Sequence, residues 1–282
     1  MTVVGFIGLG QIGAPMARRL LDHSEGLVVY DVRPDAAAPF ADGGARVADG
    51  IADVAREADV VSIMVRTDEQ VREVVAELVP AARAGTVLAI HSTIRAGTAE
   101  ELANDAAEHD VVVVDAPVVG GFMGATNGTL AVLAGGPADA VERCRELFSR
   151  WAELIVRFGP VGSGTRAKLA RNLLQFAAYS AAAEAQRLAE AAGVDLLELG
   201  KVVRHSDKVT GGPGAIMIRP TTARLDATDP LYDILAHTRD LGEKDLSLAL
   251  ELGRELGVEL PFAELARDRF ARGLGLEPGS SS

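Results

Sequence analysis

Cysteine is almost absent from this 282-residue chain, which contains only Cys144. A single thiol excludes an internal disulfide framework and is typical of proteins of the reducing cytoplasm, which is the location we predict. Cys144 falls within a helical pattern and is interpreted as a small buried apolar residue. The five histidines show no metal-ligand spacing, so no metal site is predicted.

Long apolar runs and a basic leader segment are also missing. No stretch approaches the ~20 apolar residues of a membrane span. The start, MTVVGFIGLG, runs straight into a strand-and-turn pattern and does not resemble a signal peptide. The net charge of −12 argues against nucleic acid or an anionic membrane as a partner. A chain of this length with 48% apolar residues is predicted to form two folded domains.

Lysine is the scarcest charged residue. Only four of the 28 basic residues are lysines, and the first 167 residues contain none. Arginine stays protonated at working pH, whereas lysine can lose its proton in a suitable environment. A lysine retained in such an arginine-rich chain is therefore a candidate for a site that needs an amine. The four are Lys168, Lys201, Lys208 and Lys244.

A dinucleotide-binding pattern opens the chain. An apolar strand, Val3–Ile7, leads into Gly-x-Gly-x-x-Gly, and a helical pattern follows. Gly8 is predicted to permit a tight turn, Gly10 to let the backbone approach a pyrophosphate, and Gly13 to let helix and strand pack closely. The start of the helix offers N–H groups to the phosphates. The predicted cofactor-binding residues of this turn are Gly8, Gly10, Gln11, Ile12 and Gly13.

The second predicted strand ends at Asp31, about 20 positions after the turn. A carboxylate there can accept hydrogen bonds from both ribose hydroxyls and repels a 2′-phosphate, which favours NAD over NADP. Arg33 leaves NADP open, because it could bind a 2′-phosphate if Asp31 turned away. Asp31 joins the predicted cofactor-binding residues.

Alternating strands and helices continue to about residue 160. The strands are continuous Val-Ile runs, which are typical of a mostly parallel, doubly wound sheet covered on both faces. Ligands bind beyond the carboxyl ends of such strands. Val65, Arg66 and Thr93 follow predicted strands, and we assign them to the cofactor site. His91 is interpreted as a structural residue at a strand end.

After about residue 160 the sequence pattern is almost wholly that of helices. We predict a Rossmann NAD(P)-binding domain at 1–160 and an all-α substrate and oligomerisation domain at 161–282, joined by a long helix over about 164–192. Gly193 would end that helix. Asp195 is predicted to cap the next helix and Asp229 to cap a helix that reaches Leu256. The tail from Gly275 onward is expected to fray.

Two groups remain to be explained. Asp115 to Gly136 reads DAPVVGGFMGATNGTLAVLAGG, which holds six glycines where the alternation should simply continue. Lys168 and Asn172 are four residues apart, so they share one face of the long helix. Neither is needed to form a helix that is already rich in Ala and Leu. A solvated polar face is the alternative reading of that pair.

Together these segments resemble the β-hydroxyacid dehydrogenase family, relatives of 3-hydroxyisobutyrate dehydrogenase. The motifs occur in order over about 3–272: GFIGLGQIGAPMARRL, DAPVVGGFMGATNGTL, GSGTRAKLARNLL and KDLSLAL. The resemblance implies a dehydrogenase or reductase that moves a hydride between NAD(P) and a small β-hydroxyacid or semialdehyde, as a homodimer or homotetramer. It implies these site residues: Lys168 and Asn172 for catalysis, Val119, Gly120 and Gly121 for substrate, Thr93 and Lys244 for cofactor.

The chain departs from the family pattern at two of the predicted site residues, Val119 and Arg66. Val119 stands where the family usually has a serine, which removes a hydroxyl donor, and Arg66 stands in place of the usual proline. The C-terminal segment is also shorter than usual. These departures leave two alternatives: a reductase of an imine or an atypical carbonyl compound, and a non-catalytic dinucleotide-binding module. Lys168 counts against an imine reductase, because imine reductases of similar fold generally lack the lysine, whereas Val119 counts in favour of an altered substrate. The Lys168–Asn172 pair counts against a non-catalytic module.

Overall fold

The computed structural model describes residues 2–277. The chain divides into two compact units between Arg171 and Asn172. That division falls inside the long helix and not at its start, because the first turns of this helix pack on the sheet of the first unit. The predicted domain limit at residue 160 stays a prediction.

The first unit alternates strands with helices as predicted, and a 3₁₀ turn covers Val79–Ala81. Its strands are β1 Val4–Ile7, β2 Leu27–Tyr30, β3 Arg46–Val47, β4 Val60–Ile63, β5 Val87–Ile90, β6 Val112–Asp115, β7 Val118–Val119, β8 Leu130–Gly135 and β9 Ala152–Gly159. Its helices are α1 Gly13–Arg18, α2 Pro34–Asp42, α3 Ile51–Glu57, α4 Asp68–Leu78, α5 Ala96–Ala107, α6 Gly121–Asn127 and α7 Ala138–Phe148, and the start of α8 Ser163–Ala191 follows.

The strands form one sheet in the order β3-β2-β1-β4-β5-β6-β8-β7, with β9 paired to β8. All pairs from β3 through β6 are parallel, so the carboxyl ends of these strands lie along one edge. The order reverses between β1 and β4, which is where doubly wound sheets bind their ligands. The predicted fold class is confirmed for this unit.

Both faces of the sheet are covered. Successive strand residues point to opposite faces, so Phe6 lies in one buried layer and Ile7 in the other. Cys144 is fully buried, as predicted, and burial raises the pKa of its thiol to about 12. His91 is also buried, with Nδ1 2.8 Å from the Ala116 carbonyl oxygen and Nε2 3.2 Å from Ser62 Oγ. Burial lowers its pKa to about 4, so the ring is neutral and structural.

Two parts of the sheet have no counterpart in the predicted elements. Strand β9 lies in a segment to which the pattern assigned no element, because its residues are mostly half-buried or exposed and lack a clean alternation. It pairs parallel to β8 with two irregularities in register. The glycine-rich segment also folds into β7, which is antiparallel to β8, followed by the short helix α6.

The second unit is helical, as predicted, with α9 Leu196–Thr210, α10 Tyr232–Leu256 and α11 Pro261–Gly273. Helix α8 ends before Gly193, whose φ of +73° suits glycine. The carboxylate of Asp195 accepts hydrogen bonds from the N–H groups of Leu197 and Glu198, so the predicted cap is confirmed. The predicted cap at Asp229 is wrong. Asp229 accepts from the Leu231 N–H within a preceding turn, and α10 begins only at Tyr232.

The predicted fraying of the tail is wrong for its first residues. Leu276 is buried in a small cluster with Leu225, Leu235 and Leu274, and the Leu225 N–H donates to the Gly275 carbonyl at 2.8 Å. Apolar burial holds this segment in place. Residues 278–282, the rest of that prediction, lie outside the described residues.

Candidate active site

The carboxyl-terminal edge of the parallel sheet gathers most of the predicted site. The Gly8 turn follows β1, Asp31 follows β2, Val65 and Arg66 follow β4, and Thr93 follows β5. Beyond β6, the chain enters the β7–α6 segment and later the first turns of α8. One edge of one sheet therefore collects residues that are more than 150 positions apart in sequence.

The three glycines of the first turn have distinct steric surroundings. A Cβ on Gly8, whose φ is +94°, would lie 2.3 Å from the Met64 carbonyl oxygen, and one on Gly13 would lie 2.0 Å from the Gly8 oxygen. At Gly10, no heavy atom of the described residues lies within 4 Å of that position. Gly8 and Gly13 are thus needed for packing, whereas Gly10 leaves open space beside its backbone. Together with Gln11 and Ile12 between them, they form a turn that fits a dinucleotide.

Asp31 is fixed in place by two backbone donors. Its Oδ2 accepts the Leu9 N–H at 2.7 Å and its Oδ1 accepts the Arg33 N–H at 2.9 Å. The Arg33 side chain, 59% exposed, brings Nε to 3.4 Å from the same Oδ1. Each carboxylate oxygen has two acceptor positions, so the pair of N–H bonds leaves acceptor capacity for ribose hydroxyls. The carboxylate is turned toward the glycine turn and not away from it.

The loop after β4 is tied to the loop after β5. Ser92 Oγ donates to the Val65 carbonyl at 2.9 Å and accepts the Val65 N–H at 3.0 Å. The Arg66 N–H donates to Gln70 Oε1, while the Arg66 side chain is exposed. Thr93 is exposed beside these residues. The structure therefore places all three predicted residues at the sheet edge, with Val65 held rigidly.

Lys168 is the buried lysine of the chain, 9% exposed on the second turn of α8. Its Nζ donates to the Val118 carbonyl at 2.5 Å. Burial, and next the nearby charge of Arg171, lower its pKa from 10.5 to about 8. An amine with a pKa near working pH is suited to general acid and base catalysis, because both of its protonation states are populated.

The glycine-rich segment lies directly against Lys168 through Val118. Val118 points into the core, and its neighbour Val119 points to the other side and is half-buried. Gly120, with φ of +128°, and Gly121, with φ of +60°, turn the chain into α6. A Cβ on Gly121 would meet no described heavy atom within 4 Å. A Cβ on Gly120 would lie 2.9 Å from the Leu130 side chain, so the open position is that of Gly121. Val119 is half-buried beside it, and Gly120 and Gly121 are both exposed at the end of β7.

Two predicted residues belong to the second unit. Asn172 is half-buried and follows Lys168 by four positions in the continuous helix α8. Lys244 lies on α10, 61% exposed, with its Nζ 3.1 Å from Asp245 Oδ1. The roles of Asn172 in catalysis and of Lys244 in cofactor binding stay predictions.

Sequence patterns assigned no role to Asp115, which is completely buried at the end of β6. Its Oδ1 accepts the Gly162 N–H at 2.7 Å and its Oδ2 accepts the Thr165 N–H at 2.6 Å. Burial raises the pKa of this carboxyl, and the two N–H bonds oppose that rise. The available signal was an acidic residue that ends an otherwise apolar run, VVVVD, just before the glycine-rich segment.

Neither a metal cluster nor a membrane span is found in the described part of the chain. Within residues 2–277, no three His, Cys, Asp or Glu side chains are grouped to hold a metal ion. Over the same residues, no helix is long and apolar enough to cross a bilayer.

Several known proteins have sequences similar to this one. The NAD-binding domain of 6-phosphogluconate dehydrogenase matches residues 3–159. An uncharacterized oxidoreductase of Mycobacterium tuberculosis is 56% identical over 97% of this chain and 93% of its own length. A second protein of that organism, named "Probable 3-hydroxyisobutyrate dehydrogenase", is 32% identical over 96% of this chain and 92% of its own length.

Solved structures agree. A protein from Mycobacterium avium, named only as an oxidoreductase, superposes with a TM-score of 0.94 and 52% identity, over 99% of this chain and 100% of that one. An imine reductase from a Pseudomonas species gives a TM-score of 0.77 at 19% identity, over 97% of this chain and 95% of that one. At such low identity the second likeness concerns the fold alone.

The match of the NAD-binding domain and the relatives above 30% identity agree with the glycine turn and the sheet edge described here. The chain belongs to the 6-phosphogluconate dehydrogenase family, among the proteins related to 3-hydroxyisobutyrate dehydrogenase, and is an NAD(P)-dependent oxidoreductase of the type that acts on CH–OH groups.

Proposed function

We propose that the protein interconverts a small β-hydroxyacid and the corresponding semialdehyde, with NAD as the preferred cofactor and Lys168 as general acid and base. The observation that carries the proposal is the buried Lys168, whose Nζ is held on the Val118 carbonyl beside the open glycine-rich segment. The relative named as a 3-hydroxyisobutyrate dehydrogenase supports this substrate class.

The reaction needs a proton transfer at the substrate oxygen. When bound, NAD accepts or supplies the hydride at C4 of its nicotinamide. Lys168 Nζ takes the hydroxyl proton in oxidation and returns it to the carbonyl oxygen in reduction. The Val118 carbonyl orients the amine by accepting a hydrogen bond from one of its N–H groups. Asn172, one turn further along α8, would hydrogen-bond the reacting oxygen or steady the lysine.

The substrate carboxylate is expected at the backbone of Gly120 and Gly121, because neither residue has a side chain of its own to cover its N–H group. Val119 replaces the hydroxyl that the family usually supplies there. Its half-buried apolar side chain gives the carboxylate no donor. Substrate binding in this protein therefore depends more on backbone donors, or on a less acidic substrate, than in the family pattern.

NAD is favoured over NADP by the arrangement of Asp31. Two backbone N–H bonds hold its carboxylate toward the glycine turn, where a 2′-phosphate would be repelled. Arg33, which could otherwise bind that phosphate, is paired with Asp31. Lys244 and Thr93 are assigned to the remainder of the cofactor. The cytoplasmic location stays a prediction from the single cysteine.

A homo-oligomer is supported by the apolar surface of the second unit. No residue of the described helix α9, 196–210, is buried, and several of its apolar residues are exposed: Leu197 is 78% and Val202 is 64% exposed. On α8, Leu173 is 72% and Phe176 is 60% exposed. Exposed apolar side chains that are neighbours on one helix face, as Leu173 and Phe176 are, favour an interaction site. A second copy of the chain is the occupant that the family resemblance implies.

A second candidate is a reductase of a less acidic carbonyl compound or an imine. It is favoured by the apolar border of the glycine-rich segment, where Phe122 is 47% and Met123 is 64% exposed next to Val119. The buried lysine counts against an imine, because an imine nitrogen is itself basic and can already carry the proton that a carbonyl oxygen must receive from an acid such as Lys168.

The test follows NAD(P)H absorbance across a panel of β-hydroxyacids, semialdehydes and imines with both cofactors. Lys168→Ala is expected to lower kcat at least about a thousandfold for the best substrate, while NAD still binds. Lys201→Ala, which removes an exposed lysine paired with Glu198, is the matched control and should retain kcat. Turnover of Lys168→Ala within about tenfold of wild type would contradict the role of Lys168.

A further inference from the structure

Asp115 and helix α8 form a buried anchor in the first unit. The first N–H groups of a helix lack intrahelical acceptors and need capping. The residue before α8 is Gly162, which has no side chain to serve as a cap. The carboxylate of Asp115, about 50 positions earlier, accepts the N–H groups of Gly162 and Thr165 instead, one with each oxygen.

The close approach depends on two small residues. A Cβ on Gly164 would lie 2.2 Å from the Leu133 carbonyl oxygen and 2.7 Å from that of Asp115. A Cβ on Gly135 would lie 2.3 Å from Asp115 Oδ1. The first turn of α8 therefore rests directly on the backbone of β6 and β8, with Asp115 enclosed between them.

The segment from Asp115 to Val118 contacts α8 at two points. Asp115 binds the start of the helix, and Val118, three residues later, accepts the hydrogen bond from Lys168 Nζ. Thr165 precedes Lys168 by three residues, which is about one helical turn. The two contacts fix both the axial position of α8 and the direction of the lysine side chain.

We propose that Asp115 is the positioning residue for Lys168: its carboxylate fixes the first turn of α8, and this places Nζ against the Val118 carbonyl at the mouth of the site. The inference rests on the proposed role of Lys168. Asp115 acts through the helix and does not touch the substrate. Misplacement of a catalytic group by about 1 Å can cost about a hundredfold in rate, so such an anchor matters for turnover.

The test replaces Asp115 in the full-length protein by asparagine and by serine. In the asparagine variant, one of the two backbone N–H groups faces the amide NH₂ group and loses its acceptor. In the serine variant, one hydroxyl oxygen replaces the two carboxylate oxygens. For both variants kcat is expected to fall about a hundredfold, with KM for NAD within about twofold of wild type. The midpoint of the kcat–pH profile should move upward from about 8, since a displaced lysine loses its burial while the charge of Arg171 remains.

Glu184 provides a matched control, because it is also a buried carboxylate that caps a helix from a distance. It is 4% exposed and accepts the N–H groups of Phe262 and Ala263 at the start of α11. Glu184→Gln should lower the midpoint of thermal unfolding as Asp115→Asn does, but leave the pH midpoint in place. Wild-type kcat and pH midpoint in both Asp115 variants would overturn the proposal, as would an equal pH shift in Glu184→Gln.

Two further measurements keep the outcomes separate. If neither Asp115 variant folds, hydrogen exchange of backbone amides in the wild-type protein tests whether Asp115 holds the start of α8. Gly162 and Thr165 N–H should be protected like Arg166 N–H, which donates to the Gly162 carbonyl, and exchange at free-amide rates would overturn the anchor. Activity of Lys168→Ala reports separately on the proposed function. An inactive Lys168→Ala beside fully active Asp115 variants would contradict only the positioning role.

Discussion

Lys168 Nζ lies 2.5 Å from the carbonyl oxygen of Val118, the residue immediately before Val119. The amine and the position at which this chain departs from its family thus belong to one local arrangement. The strand that orients the lysine also carries the side chain that borders the expected substrate. Changes at either residue are therefore expected to affect the same step.

The pH dependence of turnover should report on Lys168. Its pKa is lowered to about 8 by burial and by the charge of Arg171. Oxidation needs the neutral amine, so kcat for oxidation should rise through a midpoint near 8 and level off above it. Reduction needs the protonated amine, so kcat for reduction should fall through the same midpoint.

Arg171→Gln provides the corresponding control for the pH experiment. Removal of a positive charge near Lys168 favours the protonated amine, so both midpoints should move to higher pH. A wild-type midpoint near 10.5, the ordinary lysine value, would show that the titrating group is not a buried lysine.

Val119→Ser should restore affinity for small hydroxyacids. A hydroxyl at this half-buried position adds a donor toward the carboxylate, and a hydrogen bond to a charged group contributes about 1.5–3 kcal/mol. KM for a β-hydroxyacid is expected to fall about tenfold or more in steady-state assays. Val119→Ala removes bulk without adding a donor, so it separates the two effects. An unchanged KM in Val119→Ser would favour the less acidic substrates.

Asp31→Ser should reverse the cofactor preference. The substitution removes the charge that repels a 2′-phosphate and releases Arg33 from its ion pair. KM for NAD should rise about tenfold, because the ribose hydroxyls lose a charged acceptor, and KM for NADP should fall. Arg33→Ala in the Asp31→Ser background should abolish the gain for NADP. A wild-type protein that already prefers NADP would contradict the role assigned to Asp31.

The exposed apolar surface of α8 should be an interface between copies. Leu173→Glu combined with Phe176→Glu is expected to convert the wild-type oligomer to a single copy of 29.4 kDa in sedimentation equilibrium, because charged side chains are costly to bury. Gln186→Glu adds a charge at an exposed polar position of the same helix and should leave the mass unchanged. A wild type that sediments as a single copy at micromolar concentration would refute the interface.

Local sequence patterns predicted most of the first unit because they are short-range. The apolar runs predicted β4, β5 and β6, and the glycine spacing predicted the turn after β1. Strand β9 was not predictable in this way, since its pairing with β8 is what makes it a strand. The cap at Asp229 was predicted wrongly, because the same Asp-Pro pattern also suits the turn that the chain forms there.

The sequence by itself determined the dinucleotide turn, the parallel sheet and the helical second unit, since each depends on residue type and spacing, and it supplied Lys168 as the candidate catalytic residue. Tertiary structure decided what surrounds these residues. It buried Lys168 against Val118, turned the Asp31 carboxylate toward Leu9, and brought Asp115 to the start of α8. Burial and long-range hydrogen bonds set pKa and orientation, and they exist only after distant segments have packed together.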